Sequence, residues 1–266
     1  MTEGVAPLLP TVLAVATRER GRDLLRRAFS RRRARLQLVR TASAAAAALR
    51  ATLVDAVVVD HGAGGEEPWS ATVLAREFPS IPFFALTVPR LADTAVLGRC
   101  AALDIADLLI EGVDDGALRE LVVPLAFSRR FADALRGAHV ELGLALPLQQ
   151  RAWDCVVAAG GRPVRTDAIA QALGVTREHL SRAFASSGAP NLKRVIDLVR
   201  LVAAAELAKN PGYDLADVAT VLEFASPSHL ASTAQRVAGI RAASLTRLRA
   251  KDLLVRFRQG RSRSRD

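Results

Sequence analysis

The chain is short of cysteine: Cys100 and Cys155 are the two in 266 residues. They match no metal-ligand spacing, and two thiols are too few to staple a secreted fold. No apolar run approaches the roughly 18 to 20 residues that span a bilayer. The short run Val12 to Ala16 has Glu3 ahead of it and no basic segment, so it reads as a first strand, not a secretion signal. Catalytic motifs are missing too. There is no GxxxxGK(S/T), HExxH or GxSxG, and His61, His139, His179 and His229 are scattered. The loop Gly62 to Gly65 runs into Glu66 and Glu67, which repel phosphate. The expectation is a cytoplasmic protein that is not an enzyme, with no metal, no cofactor and no membrane partner.

What is present is apolar residue and arginine. Half of the residues are apolar and 24% are charged, which excludes a wholly disordered chain. Lysine is nearly absent, with Lys193, Lys209 and Lys251 the only three. The formal net charge of +10 divides unevenly. Residues 1–144 hold 18 Arg against 17 Asp and Glu, whereas residues 145–266 hold 19 Lys and Arg against 10 Asp and Glu. A preference for arginine explains the choice of cation but not the asymmetry, which points to a polyanion facing the second half.

The first 125 residues alternate strand-like and helical patterns. Thr11 to Ala16, Leu36 to Val39, Val54 to Val59, Ile81 to Thr87 and Ile105 to Ile110 are apolar runs of strand length. Between them lie helical stretches such as Arg22 to Arg33 and Ala42 to Leu49. Five strands alternating with helices predict an α/β doubly wound parallel sheet. Asp60 closes the third strand and Thr87 the fourth. In this order and spacing, residues 10–125 resemble a response-regulator receiver domain, of the flavodoxin-like kind. The resemblance implies that Asp60 occupies the phosphoacceptor position. The rest of that site is missing: Ala16, Thr17 and Arg18 stand where the family has metal-binding acids, and Glu111 where it has a lysine. Phosphorylating an aspartate needs a cation to offset incoming charge. Asp60 is therefore expected to be vestigial and the domain a pseudo-receiver.

Leu125 to Leu144 reads as an apolar and basic helix, either a plain connector or a dimerisation element. From Leu148 the pattern is helical throughout. Thr166 stands as the N-cap of a short helix through Leu173, Gly174 makes a turn, and Thr176 caps a second helix, Arg177 to Ser186. That is a helix-turn-helix. A long amphipathic helix follows, Leu192 to Lys209, ended by Pro211 and Gly212. Then the pattern repeats. Ile169, Ala170, Leu173 and Val175 recur 49 residues later as Val218, Ala219, Leu222 and Phe224, and His179-Leu180 recurs 50 residues on as His229-Leu230. Two such units on one rigid helix can address successive major-groove faces about 34 Å apart.

This arrangement resembles the AraC/XylS family of transcription regulators. The carriers are Ile169 to Val175, His179 to Phe184, Val195 to Leu207 and Val218 to Leu230. The resemblance implies a regulator that binds double-stranded DNA, with the segments 1–125 receiver-like, 126–147 a helical linker, 148–255 the DNA-binding domain and 256–266 a disordered basic tail. Departures gather in the second unit: Glu223 replaces a turn glycine, and Ser232 and Ala234 stand where the family has Arg and Phe. Losing Phe at 234 is expected to loosen the packing of that helix. The first unit is thus expected to carry most sequence reading.

Candidate DNA contacts on the first recognition helix are Arg177, Glu178, Ser181 and Arg182. Arg182 is the leading one, through guanine or phosphate, the alternative being an ion pair to Glu178. On the second they are Ser226, Ser228, His229 and Ser232, with His229 alternatively a packing or capping residue. Arg194 and Arg200 on the long helix suit phosphate, or simply a solvated face. A homodimer and a contact with RNA polymerase are expected of such a regulator. The competing reading is a protein-interaction adaptor that binds DNA weakly and without sequence preference.

Overall fold

The apolar runs of the first half become strands in the structure, a computed structural model that describes residues 9–32, 34–91, 94–186 and 189–262. The chain divides into two units, which are taken separately. One comprises Leu9–Arg130 with the turn Asn210–Tyr213; the other comprises Phe131–Lys209 and the described residues from Asp214 on.

The first unit is a five-stranded parallel sheet in the order β2-β1-β3-β4-β5. Its elements are β1 (Thr11–Val15), α1 (Glu19–Ala28), β2 (Arg35–Val39), α2 (Ala42–Ala51), β3 (Ala56–Asp60), α3 (Glu67–Thr72), β4 (Phe83–Thr87), α4 (Thr94–Ala102), β5 (Asp107–Ile110) and α5 (Leu118–Val122). Every residue of β3 and β4 is buried, because helices cover both faces of a parallel sheet. One face packs Leu24, Leu25, Phe29, Leu118 and Val122 on the strands. The other packs Trp69, Ala85, Cys100 and Leu103. Strand order reverses between β1 and β3, which opens a crevice at their C-terminal ends, the usual ligand position in such sheets. Asp60 ends β3 there.

The helix expected over 125–144 is broken. After α5 come a 3₁₀ turn at Val123–Leu125, an extended Ala126, α6 (Phe127–Leu135) and α7 (Ala138–Glu141). Gly143, at φ +71°, then turns the chain into α8 (Pro147–Ala158).

The second unit is helical: α9 (Thr166–Ala172), α10 (Arg177–Ser186), α11 (Leu192–Leu207), α12 (Leu215–Val221), α13 (Pro227–Ala238) and α14 (Ala250–Ser262) follow α8. Its centre is α11, whose apolar residues from Leu192 to Leu207 are buried almost throughout. Asn191 starts that helix, its side chain accepting from Arg194 N at 2.9 Å. Gly161, at φ +89°, lies against Ala203 so closely that any side chain there would collide. Thr166 is the first residue of α9 and not its cap; Arg165, extended, precedes it. The expected disordered tail is also corrected. Residues 256–262 continue α14, because Leu253, Leu254 and Phe257 share a buried stripe. Residues 263–266 lie outside the described residues.

Candidate nucleic-acid interface

In the first helix-turn-helix, Gly174 takes φ +68° between α9 and α10, and Val175 N donates back to Ala170 O at 3.0 Å. Thr176 caps α10 by accepting from His179 N at 3.1 Å. Leu180 and Phe184 are buried at 1% exposure each. Helical spacing therefore turns Arg177, Glu178, His179, Ser181 and Arg182 outward, and all five are exposed. Among the described residues Arg182 and Glu178 form no ion pair, so that alternative is not realised. Gln149 was not visible as a structural residue in the sequence. It is fully buried on α8, and its Nε2 donates to Ala183 O at 2.9 Å, tying the recognition helix to the core.

In the second unit Asp214 accepts from Asp217 N at 2.7 Å and starts α12. Ser226 caps α13 by accepting from His229 N at 3.1 Å, and Pro227 suits its first turn. His229 is exposed but engaged: its Nδ1 accepts from Ala225 N at 3.4 Å, and its ring meets Phe224 edge-on at 5.6 Å. Ser232 Oγ donates to His229 O at 3.0 Å, while Ser228 is exposed. At the position expected to loosen α13, Ala234 is fully buried, on the same face as the buried Leu230 and Val237. The exposed face of α13 carries no arginine until Arg236, which pairs with Asp197 at 2.9 Å.

The long helix is less available than the sequence suggests. Arg194 is half-buried, 5.1 Å from the centre of the Phe257 ring. Arg200 is not a phosphate contact. It is 8% exposed, and its Nη2 donates to Leu222 O at 2.8 Å and Glu223 O at 3.2 Å. Burial lowers its pKa, against the opposing pull of Asp197 and Glu223.

The crevice at the ends of β1 and β3 is closed by arginine. Arg18 Nη2 donates to Asp60 Oδ1 at 2.5 Å and Glu111 Oε2 at 2.7 Å, while its Nε reaches Asp60 Oδ2 at 3.1 Å. Arg20 pairs with Glu111 at 2.5 Å, and Gly62 N donates to Asp60 at 2.9 Å. Burial works against the Arg18 charge, but hydrogen bonds and attraction from the two carboxylates outweigh it and raise its pKa. Both carboxylates are buried. The residues present do not fit a divalent cation: a guanidinium already sits between the two acids. Among the described residues, no group of three or more His, Cys, Asp or Glu could hold a metal. Arg18 was legible in the sequence only as a missing acid.

Next to Asp60, His61 is buried and its Nε2 lies 2.9 Å from Thr72 Oγ1. Thr72 donates to Pro68 O at 2.9 Å, so the imidazole supplies the other proton. Burial, with a lesser contribution from Arg99, lowers the His61 pKa from 6.5 to about 4. Burial also raises both cysteines, Cys155 to about 11, which leaves them unreactive thiols.

A doubled helix-turn-helix on one buried long helix is a DNA-binding module. Residues 169–248 match the family model of a helix-turn-helix domain. The chain thus joins a doubly wound α/β unit of flavodoxin-like strand order to a helical unit that carries a helix-turn-helix domain. No similar protein is found among curated sequences. Among solved structures, the chain is similar to a response regulator from Thermotoga maritima, at 20% identity over 44% of this chain and 98% of that one, TM-score 0.39. It is also similar to a Burkholderia pseudomallei response regulator with a phosphorylated aspartic acid, at 18% identity over 65% and 97%, TM-score 0.38. A third is full-length FixJ from B. japonicum, at 13% identity over 70% and 94%, TM-score 0.39. Among the described residues no helix is long and apolar enough to cross a membrane.

Proposed function

We propose that the first helix-turn-helix reads DNA sequence, and that the second mainly grips and orients the backbone. The observation that carries this reading is the contrast between the two outward faces. The face of α10 offers Arg177, Ser181 and Arg182, with donors suited to guanine edges or phosphate. The face of α13 offers Ser228, His229 and Ser232, of which two are already engaged in local hydrogen bonds. Selection from a random duplex pool by the purified chain, at two salt concentrations, tests it. A motif that survives the higher salt supports a sequence reader; loss of all binding as salt rises, with nothing enriched, favours the adaptor reading.

The receiver-like domain acts in this scheme without phosphoryl transfer, as a sensing or dimerising element that sets two DNA-binding modules on one operator. The Arg18 bridge supports that role, because incoming phosphate would have to displace the guanidinium from Asp60. Acetyl phosphate with Mg²⁺ is expected to add no mass at Asp60, and an adduct there would contradict the assignment. Sedimentation of the full chain tests the homodimer. Contact with RNA polymerase follows from the same role and is tested by co-retention on an operator duplex.

A further inference from the structure

The internal repeat pairs Gly174 with Glu223, and both residues are left-handed, at φ +68° and +54°. Glycine adopts that conformation freely; a residue with a Cβ does so at a cost. Something must therefore hold the second turn that the first turn does not need. Arg200 reaches that turn from α11. Its Nη2 donates to Leu222 O at 2.8 Å and to Glu223 O at 3.2 Å, and its guanidinium carbon lies 4.0 Å from the centre of the Phe224 ring. One side chain thus grips three consecutive residues. Leu222 follows directly on α12, where carbonyls left without an intrahelical partner favour a cation. Arg200 Nε is buried with no partner among the described residues, so the carbonyl and ring contacts fix the group. Arg151, 49 residues earlier and at the same place ahead of the first turn, is exposed. The device belongs to the second unit alone.

We propose that Arg200 is a positioning residue for DNA binding: it holds the left-handed Leu222–Phe224 turn and so sets how α13 is presented to the duplex. This rests on the reading of α13 as a helix that touches DNA.

The test uses the full chain as wild type, Arg200→Met, Arg200→Lys, Glu223→Gly and the Arg200→Met/Glu223→Gly pair. Amide hydrogen exchange is followed without DNA, and hydroxyl-radical footprints are taken on a duplex enriched from a random pool by the wild type. Arg200→Met is expected to speed exchange across residues 222–230 by about tenfold or more, leaving residues 166–185 unchanged. Its footprint loses the segment covered by the second unit and keeps the first. Glu223→Gly in the Arg200→Met background recovers most of both losses, since glycine holds the turn unaided. Arg200→Lys falls between, having no planar fork. Unchanged exchange in Arg200→Met, acceleration spread evenly over both units, or a Glu223→Gly effect that merely adds to the Arg200 loss would each overturn the proposal. A wild-type footprint covering one unit's segment alone, with exchange as expected, overturns the positioning role by removing the reading beneath it.

Discussion

The two helix-turn-helix units bury matching positions and differ at the surface. Each buries the two corresponding positions of its second helix, Leu180 and Phe184 in one and Leu230 and Ala234 in the other, all at 1% exposure or less. Each starts its recognition helix with a hydroxyl cap, Thr176 or Ser226. They differ in the turn, Gly174 against Glu223, and in the outward face, where α10 carries two arginines in its first two turns and α13 none. Burial is indifferent to which polar residues face water, so architecture persists while the outward chemistry diverges.

The largest effects probe what the units share. Phe184→Ala is expected to cost about 3–5 kcal/mol and Leu230→Ala about 2–5 kcal/mol, by chemical denaturation of the full chain. A Leu230→Ala cost well under 1 kcal/mol would show the second unit to be loosely packed after all. Next come the faces. Arg182→Ala should weaken binding to a selected duplex by about 1–3 kcal/mol, whereas Ser232→Ala should stay within about 0.5 kcal/mol. Equal losses in a binding titration would erase the proposed division of labour. The turns should respond in opposite directions. Gly174→Ala forces a Cβ into the left-handed region and should cost about 1–2 kcal/mol, while Glu223→Gly should raise stability by up to about 1 kcal/mol. Denaturation midpoints of the two variants check the sign.

A pH effect in the α/β unit serves as a control on DNA binding. His61 binds a proton near pH 6.5 when unfolded but only near pH 4 when folded. Between those values the unfolded state takes up the proton, so stability contributed by the neutral ring is present above pH 6.5 and is lost as pH falls towards 4. His61→Gln should flatten that part of the stability profile while leaving DNA binding at pH 7.5 unchanged. A steeper profile in the variant would contradict the burial argument.

The strands were legible because parallel-sheet strands are continuous apolar runs, as Val57 to Val59 shows. The doubled helix-turn-helix was legible from its repeat. Misreadings came where a polar residue does an interior task. A cation on an amphipathic helix ordinarily faces water, so Arg200 read as a phosphate contact; the carbonyls that bury it lie 22 and 23 residues further on. The Arg- and Ser-rich composition near the C-terminus read as disorder, although Leu253, Leu254 and Phe257 already carried a helical stripe. Arg18 registered as a departure from a pattern, and its function as an internal counter-ion appears only when β1, β3 and β5 bring Asp60 and Glu111 to it. A single helix over residues 125–144 failed for local reasons: Ala126 is extended, the chain turns at Arg136–Gly137, and Gly143 is left-handed.

The proposed reading of sequence chiefly by α10 is decided by random-pool selection with the wild type and Arg182→Ala, side by side at the higher salt. The expected result is one block of strong base preference beside a weakly constrained neighbour, with the strong block flattened in the variant. Two equally strong blocks, or a strong block that survives Arg182→Ala unchanged, would contradict it.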